Sequence, residues 1–291
     1  MSENQPKTVK TWTVIDIVNW ASSYFAEKNI DSPRLKIELI LCHLLNFNRI
    51  DIYSKYDRPL IDSELDTLRS MVIRIVNSEP IQYVIGSVSF CDLILELNDS
   101  VLIPRPETEE LVQLVLDKYK KTNNLSILDI GSGSGCIGLT LAKVFPDSHV
   151  TLIDFSEEAL SISKRNAEKN NIRNVTFLRI DVSKELPIGT FSLIVSNPPY
   201  IELAEYEKLE EEVRDHEPRL ALTDESDGLT FFRRYSEIFG KILSPDGLFF
   251  LEIGYGQRDR LETIFDKKLF EIEFSNDFAG IPRFISGRLK K

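Results

Sequence analysis

The sequence predicts an α/β fold in which helices cover both faces of a mostly parallel sheet, with a small helical bundle before it and a β-hairpin linker between. Three observations carry this prediction. From residue 125 onward, short apolar runs alternate with stretches of helical spacing. The first 80 or so residues show helical spacing alone. Between the two, "PIQYVIGSVSFCDLILELNDSVLI" alternates in the manner of a hairpin, with "ND" expected near its turn. The expected boundaries are 1–83 for the helical domain, 84–103 for the linker and 104–291 for the α/β domain.

In the first region, "TWTVIDIVNWASSYFAEKN" puts Val14, Ile17, Val18, Ala21 and Phe25 on one stripe. "DSPRLKIELILCHLLNF" opens with a cap-like Asp31/Ser32 and with Pro33 at an early helical position. A short "RIDIYSKY" and then "IDSELDTLRSMVIRIVNS" follow, the latter with Asp62 or Ser63 able to cap. Nothing in this bundle looks catalytic, so substrate recognition is its one plausible active role besides packing. In the second region the order is "LSILDI", a helix from Cys136, "VTLID", a helix from Glu157, "VTFLRID" and "FSLIVS". A helix around 228–243, the strand "GLFFLEI", another helix and two late strands complete it.

Composition narrows the classes. With 42% hydrophobic and 28% charged residues, the 291-residue chain reads as soluble and globular. Its longest apolar stretches, such as "LILCHLL", fall far short of the roughly 20 residues that span a bilayer, so no membrane partner is expected. "MSENQPKTVK" lacks the apolar stretch of a secretory signal. Cys42, Cys91 and Cys136 form no C-x-x-C pair, which fits buried thiols in a reduced, cytoplasmic setting. His43, His149 and His216 are scattered, and no metal site is expected. The net charge of −11 argues against a broad nucleic-acid surface. Residues 1–85 hold 10 basic and 11 acidic side chains, so the excess lies in the rest of the chain. A monomer is expected.

Ligands of such sheets bind beyond the carboxyl ends of the strands. Asp129, Asp154, Asp181 and Asn197 each lie at or near one of those ends. In "LDIGSGSGCIGL", Gly131, Gly133 and Gly135 allow a tight turn against a ligand. Gly133, Gly135 and Gly138 also satisfy G-x-G-x-x-G, so a dinucleotide reading stays open. Asp129 tips the balance, because a carboxylate beside the loop repels a pyrophosphate and suits a cation. S-adenosylmethionine carries both a sulfonium and an ammonium. Asp154, after the second strand, is placed to take ribose hydroxyls. Phe155 either lies against adenine or fills the core, and Asp181, a turn residue when taken alone, is beside the others placed to reach the adenine amino group.

"SNPPY" at 196–200 follows the run "FSLIV" directly. Pro198 and Pro199 have fixed φ and no N–H, and each pushes its predecessor out of the α region. The chain therefore leaves the strand stiff and extended, with the Asn197 amide held still.

Together "LDIGSGSG", "SNPPY", the upstream "IPRPETE" and the downstream "EPRLALTDESDGL" resemble the HemK/PrmC protein-(glutamine-N5) methyltransferases. The resemblance runs from about Pro80 to the C-terminus, "DFAGIPRF" included, and extends in layout to the helical N-terminal domain. It implies a class I S-adenosylmethionine-dependent methyltransferase (Rossmann-like) domain. The implied substrate is the glutamine of the GGQ motif in class 1 peptide-chain release factors. "NPPY" alone is shared with adenine-N6 methyltransferases of DNA, whereas its combination with "PRPETE" and "EPRLAL" is far more specific.

Carried over position by position, the resemblance implies cofactor contacts at Gly131, Ser132, Gly133, Ser134 and Gly135. It implies others at Asp154, the Asp181–Val182 pair and Asn197, and substrate contacts at Asn197, Pro198, Pro199 and Tyr200. Many members carry a bulky aromatic where this chain has Val182, so the packing around adenine departs from the family's. Arg105 and Glu107 either brace the loop over the cofactor or form a salt bridge at the helix start. In the implied geometry the Asn197 oxygen and the Pro198 carbonyl accept the two N–H groups of the substrate amide, and Tyr200 walls the site. The rival readings are a nucleic-acid adenine methyltransferase and a non-catalytic cofactor-binding adaptor. Eight acidic residues in 201–217, against Lys208 and Arg214, speak against the first.

Overall fold

The computed structural model describes residues 11–120, 124–266 and 268–291. The chain divides into two compact units, Met1–Ile85 and Gly86–Lys291.

The first unit holds α1 (Val14–Glu27), α2 (Pro33–Leu45), α3 (Arg49–Ser54), α4 (Asp62–Val76) and α5 (Ile81–Ile85). The α1 stripe read from the sequence is buried in full. Thr13 starts this helix through a reciprocal capping box, its amide donating to the Asp16 carboxylate at 3.0 Å. Two expected caps differ. Ser32 precedes α2 but is left-handed (φ +46°) and makes no side-chain cap, so Pro33 sets the first turn while Asp31 pairs with Lys36. Asp62 and Ser63 lie inside α4. Its start is held by Glu64, which reaches back to the Ile61 amide at 3.0 Å and also takes the Arg58 guanidinium.

The second unit opens with a hairpin, β1 (Ser87–Phe90) and β2 (Leu93–Glu96). Phe90 pairs with Leu93, so the turn is Cys91–Asp92, with Cys91 at φ +47°, and not the expected "ND". Asn98 and Asp99 lie beyond β2, where the Asn98 side chain accepts the Ser100 amide in a local turn of its own. Then come α6 (Pro106–Lys118), β3 (Ser126–Ile130), α7 (Cys136–Val144), β4 (His149–Asp154), α8 (Glu157–Lys169), β5 (Val175–Arg179) and β6 (Phe191–Ser196). Three single-turn helices follow: α9 (Leu203–Tyr206), α10 (Glu211–Arg214) and α11 (Arg219–Leu222). The chain ends with α12 (Thr230–Ile242), β7 (Leu243–Glu252), α13 (Arg258–Ile264), β8 (Phe270–Asn276) and β9 (Pro282–Leu289). The hairpin is fastened to α8 by Asn166, which exchanges hydrogen bonds with the Glu96 backbone at 2.6 and 3.1 Å.

The seven-stranded sheet runs β5-β4-β3-β6-β7-β9-β8, parallel except for β9. Its strands alternate between two cores. Leu193 and Val195 enter the cluster under α6 and α7, while Ile194 between them joins the cluster under α12 and α13. Burial on both faces is why these strands read as continuous apolar runs. The strand order reverses at β3, which has β4 on one side and β6 on the other, with Ile130 in register with Ser196. The glycine loop after β3 and the Asn-Pro-Pro-Tyr loop after β6 therefore leave the sheet side by side, where open α/β sheets bind their ligands.

Candidate active site

Backbone geometry builds the first loop. The amides of Gly131 and Ser132 both donate to the Ile153 carbonyl, at 2.9 and 3.0 Å, and the Gly133 amide donates to the Asp154 carboxylate at 2.9 Å. Gly135 sits at φ +82° as α7 begins, and a Cβ there would strike the Ser163 hydroxyl. One turn on, Gly138 donates its amide to Asp129 Oδ2 at 2.8 Å, and a Cβ would come within 2.7 Å of that same oxygen. The close approach of α7 to β3 thus exists around a buried carboxylate. The other oxygen of Asp129 has no partner, nor do the buried hydroxyls of Ser132 and Ser134. Burial pushes the Asp129 carboxyl up to about 7, against the pull of the Gly138 amide.

A cavity of about 530 Å³ opens above this loop. Gly131, Ser132, Gly133 and Ser134 line it, and so do Asp154, Phe155, Asp181 and Val182. Asp129 lies beneath the loop and Gly135 at its exit, and neither lines the cavity. Asp154 also receives the Ser156 amide at 3.0 Å, and its carboxyl is pushed upward by burial against the backbone amides it accepts. Phe155 is half exposed at the cavity, whereas Val182 is packed in the core below it, its carbonyl taken by Arg234 at 2.8 Å. The Asp181 carboxylate holds Lys184 at 2.6 Å and Ser183 through hydroxyl and amide, and the Lys184 contact leads in holding its pKa low. Three of its roughly four acceptor positions are thereby in use.

Side chains build the second loop. Ser196 donates to the Ile130 carbonyl at 2.7 Å, tying β6 to β3, and Tyr235 therefore donates to Ser196 at 3.0 Å. Asn197, Pro198 and Pro199 line the cavity. Tyr200 does not; its phenol donates to Glu252 at 3.0 Å, so the role of a wall expected from the sequence is not the one its geometry gives it. The Asn197 Nδ2 donates to the Thr108 hydroxyl at 3.1 Å, and Thr108 donates to Glu252 at 2.7 Å. Thr108 and Glu252 escaped the sequence reading. One signal was available, since Glu252 ends the otherwise apolar strand "LFFLE" at the same rim as Asp129 and Asp154.

The remaining walls come from two conspicuous motifs. Pro104 of "IPRPETE" and Pro218 to Ala221 of "EPRLAL" line the cavity, with Phe231 and Tyr235 beside them. Arg105 binds these motifs together: it pairs with the buried Glu217 at 2.5 Å, and the second Glu217 oxygen takes the Ile103 amide at 3.1 Å. Arg105 thus braces one loop against another, while Glu107 stays in the first turn of α6. Among the described residues, no group of three or more His, Cys, Asp or Glu could hold a metal, and no helix is long and apolar enough to cross a membrane.

Two family models match the chain in order: the PrmC N-terminal domain over residues 16–86 and the methyltransferase small domain over residues 108–215. A release factor glutamine methyltransferase of Geobacter sulfurreducens is 38% identical over 279 residues, covering 96% of this chain and 97% of its own. One of Thermodesulfovibrio yellowstonii is 40% identical over 248 residues, covering 84% and 88%. A solved methyltransferase of Pyrococcus furiosus shares the fold, with a TM-score of 0.52 at 19% identity over 74% of this chain and 95% of its own. The second unit is accordingly an α/β methyltransferase domain of Rossmann-like type. With such identity running through both units, the chain belongs to the family of release factor glutamine methyltransferases.

Proposed function

We propose that this chain transfers a methyl group from S-adenosylmethionine to the side-chain amide nitrogen of the glutamine in the GGQ motif of class 1 release factors, as a cytoplasmic monomer. The observation that carries the reading is the Asn197 amide. Its Nδ2 is committed to Thr108 at 3.1 Å, which leaves Oδ1 as an acceptor on a residue that lines the cavity.

The polar atoms of the glycine loop fit the cofactor: Ser132 and Ser134 line the cavity with hydroxyls that have no partner, and beneath the loop one Asp129 carboxylate oxygen has none either. Asp154 would hold its ribose and Phe155 its adenine. Val182 offers apolar contact where a larger ring would reach further. When bound, S-adenosylmethionine supplies an electrophilic methyl on a sulfonium centre.

A carboxamide nitrogen is a poor nucleophile because its lone pair is delocalised, and no ordinary side-chain base deprotonates it at neutral pH. The protein therefore works by position. Asn197 Oδ1 accepts one N–H of the substrate glutamine and the Pro198 carbonyl accepts the other, an orientation effect worth several kcal/mol. The same acceptors stabilise the positive charge that develops on nitrogen. The methylated nitrogen sheds its proton to water, and no general base is assigned. Tyr200 braces Glu252 behind Asn197.

Labelled methyl transfer tests the reading, with a release factor, the same factor with its GGQ glutamine changed to Ala, DNA, and no partner. Label is expected on the first alone. Label on DNA, or on the changed factor, would overturn the assignment.

A further inference from the structure

Asn197 is useful only one way round. With Oδ1 facing the substrate, the amide accepts an N–H; turned by 180°, it presents donors to donors. The two ends of a carboxamide are nearly alike in shape, so packing alone selects neither, and a hydrogen-bond partner has to choose. That partner is Thr108, whose hydroxyl lies 3.1 Å from Asn197 Nδ2. A hydroxyl does not choose by itself either, since it both donates and accepts.

The choice is made one step further back. Glu252 is buried at the end of β7, and that burial pushes its carboxyl up against the pull of the Thr108 and Tyr200 hydroxyls. In its ionised form, the one that takes both hydroxyls as donors, it can only accept. Its Oε1 takes the Tyr200 phenol at 3.0 Å and its Oε2 takes the Thr108 hydroxyl at 2.7 Å. With its single proton given to Glu252, Thr108 has only lone pairs to offer Asn197. We infer that Glu252 and Thr108 are positioning residues that set the polarity of the Asn197 amide, so that the acceptor the substrate needs is in place before it arrives. This inference rests on the proposed role of Asn197.

The arrangement is costly, as a carboxylate taken out of water has to be. A well-packed apolar trio would hold α6 to the sheet at least as well. Tyr200, on the same loop as Asn197, steadies Glu252 from the other side. The two residues that flank the prolines of the motif thus converge on one carboxylate.

Steady-state kinetics on variants of the full chain, with release factor as substrate, separate this role from plain packing. Thr108→Val keeps shape and removes the hydroxyl. We expect kcat to fall by about tenfold or more, part of the roughly 10²–10³ that the loss of one transition-state partner costs. KM for release factor and affinity for S-adenosylmethionine should stay within about threefold. Thr108→Ser, which restores a hydroxyl, should recover most of the rate. The effect of Thr108→Val should vanish in an Asn197→Ala background, because both changes remove the same interaction. An unaltered kcat for folded Thr108→Val, or an undiminished effect in the Asn197→Ala background, overturns the relay. Should Thr108→Val prove unstable by thermal melting, Glu252→Gln replaces it. One end of the new amide can donate to Thr108 and free its proton for Asn197, so an unchanged kcat there likewise overturns the relay. Full activity of Asn197→Ala would instead defeat the reading on which the relay is built.

Discussion

The loop after β3 is shaped by its own backbone, whereas the loop after β6, one strand away, is held by side chains from distant parts of the chain. In the first, amide groups close on Ile153 and on Asp154, and the polar side chains of Ser132, Ser134 and Asp129 are left with atoms unpartnered. In the second, the carboxamide of Asn197 and the phenol of Tyr200 both lead to one buried carboxylate. A loop with spare polar capacity suits a ligand that brings its own charges and hydroxyls. A loop whose amide nitrogen is tied back to Thr108, and which offers the Asn197 oxygen and the Pro198 carbonyl as acceptors, suits a substrate that brings only N–H groups. On the proposed function the two loops divide the labour: the first would bind and the second would orient.

The sharpest way to break this division is Asn197→Ala. If the β6 loop orients, methyl transfer should fall by about 10²–10³ while affinity for S-adenosylmethionine stays within a few-fold. Radiolabel transfer and calorimetry measure the two quantities. A variant that keeps more than half of wild-type turnover would end the orienting role.

The converse variant lies in the first loop. Asp154→Ala removes the acceptor of Gly133 and Ser156 as well as the proposed ribose partner. Cofactor affinity should weaken by about 1.5–3 kcal/mol, the scale of hydrogen bonds to a charged group. At saturating cofactor the turnover should approach wild type, in contrast to Asn197→Ala. Unchanged affinity by calorimetry would remove Asp154 from the binding side, and tight binding of NADH by the wild type would reopen the dinucleotide reading.

The two loops also differ in how far the sequence reveals them. The glycine loop is a local affair of dihedrals and strand ends, so Gly131, Gly133, Gly135 and Asp154 could be named from their place in the sequence, and α7 and α8 begin at the expected Cys136 and Glu157. In the β6 loop the stiff Asn-Pro-Pro-Tyr run was equally plain. Its supports were not, because Thr108 stands 89 residues from Asn197 and 144 from Glu252. No periodicity or turn rule reaches that far. Glu217 makes the same point. In sequence it belongs to an acidic run, yet it is buried against Arg105, 112 residues upstream. The hairpin turn failed for a local reason: "ND" is a turn signal, but Asn98 spends it on Ser100 beyond the strand.

A subtler test of the first loop uses pH. The folded carboxyl of Asp129 sits at about 7 against an ordinary 3.8, so folding favours its protonated form. That contribution is fully present below pH 3.8 and is lost as pH rises through 7. Asp129→Asn, which keeps an acceptor for the Gly138 amide, should therefore melt higher than wild type above pH 7, and the gap should close toward pH 4. Each kcal/mol is worth about 2–4 °C in a domain of this size. Melting curves that stay parallel across this range would show the carboxylate to be ionised at no cost. The unpartnered oxygen would then be solvated and not reserved for a ligand.

The smallest effect concerns how the substrate reaches the second loop. The acidic run 201–217 begins at the residue after Tyr200, so the chain passes straight from the orienting loop into it. Its members are not equivalent. Glu217 is structural, Asp215 is bonded to Arg214 at 2.7 Å and Glu207 lies 3.8 Å from Arg219. Glu202, Glu205, Glu210 and Glu211 are exposed along α9 and α10. A release-factor surface that works against ribosomal RNA is expected to be basic, and exposed acids next along the chain from the orienting loop would draw it in. Such attraction acts on the association rate and is screened over about 8–10 Å at ordinary ionic strength. Changing these four residues to Gln should slow association with the release factor several-fold at low salt and flatten its salt dependence, with kcat little altered. Stopped-flow association across a salt series reads both quantities. Identical slopes for the variant and the wild type would make the run a solvated surface, and the orienting loop would then receive its substrate without electrostatic help.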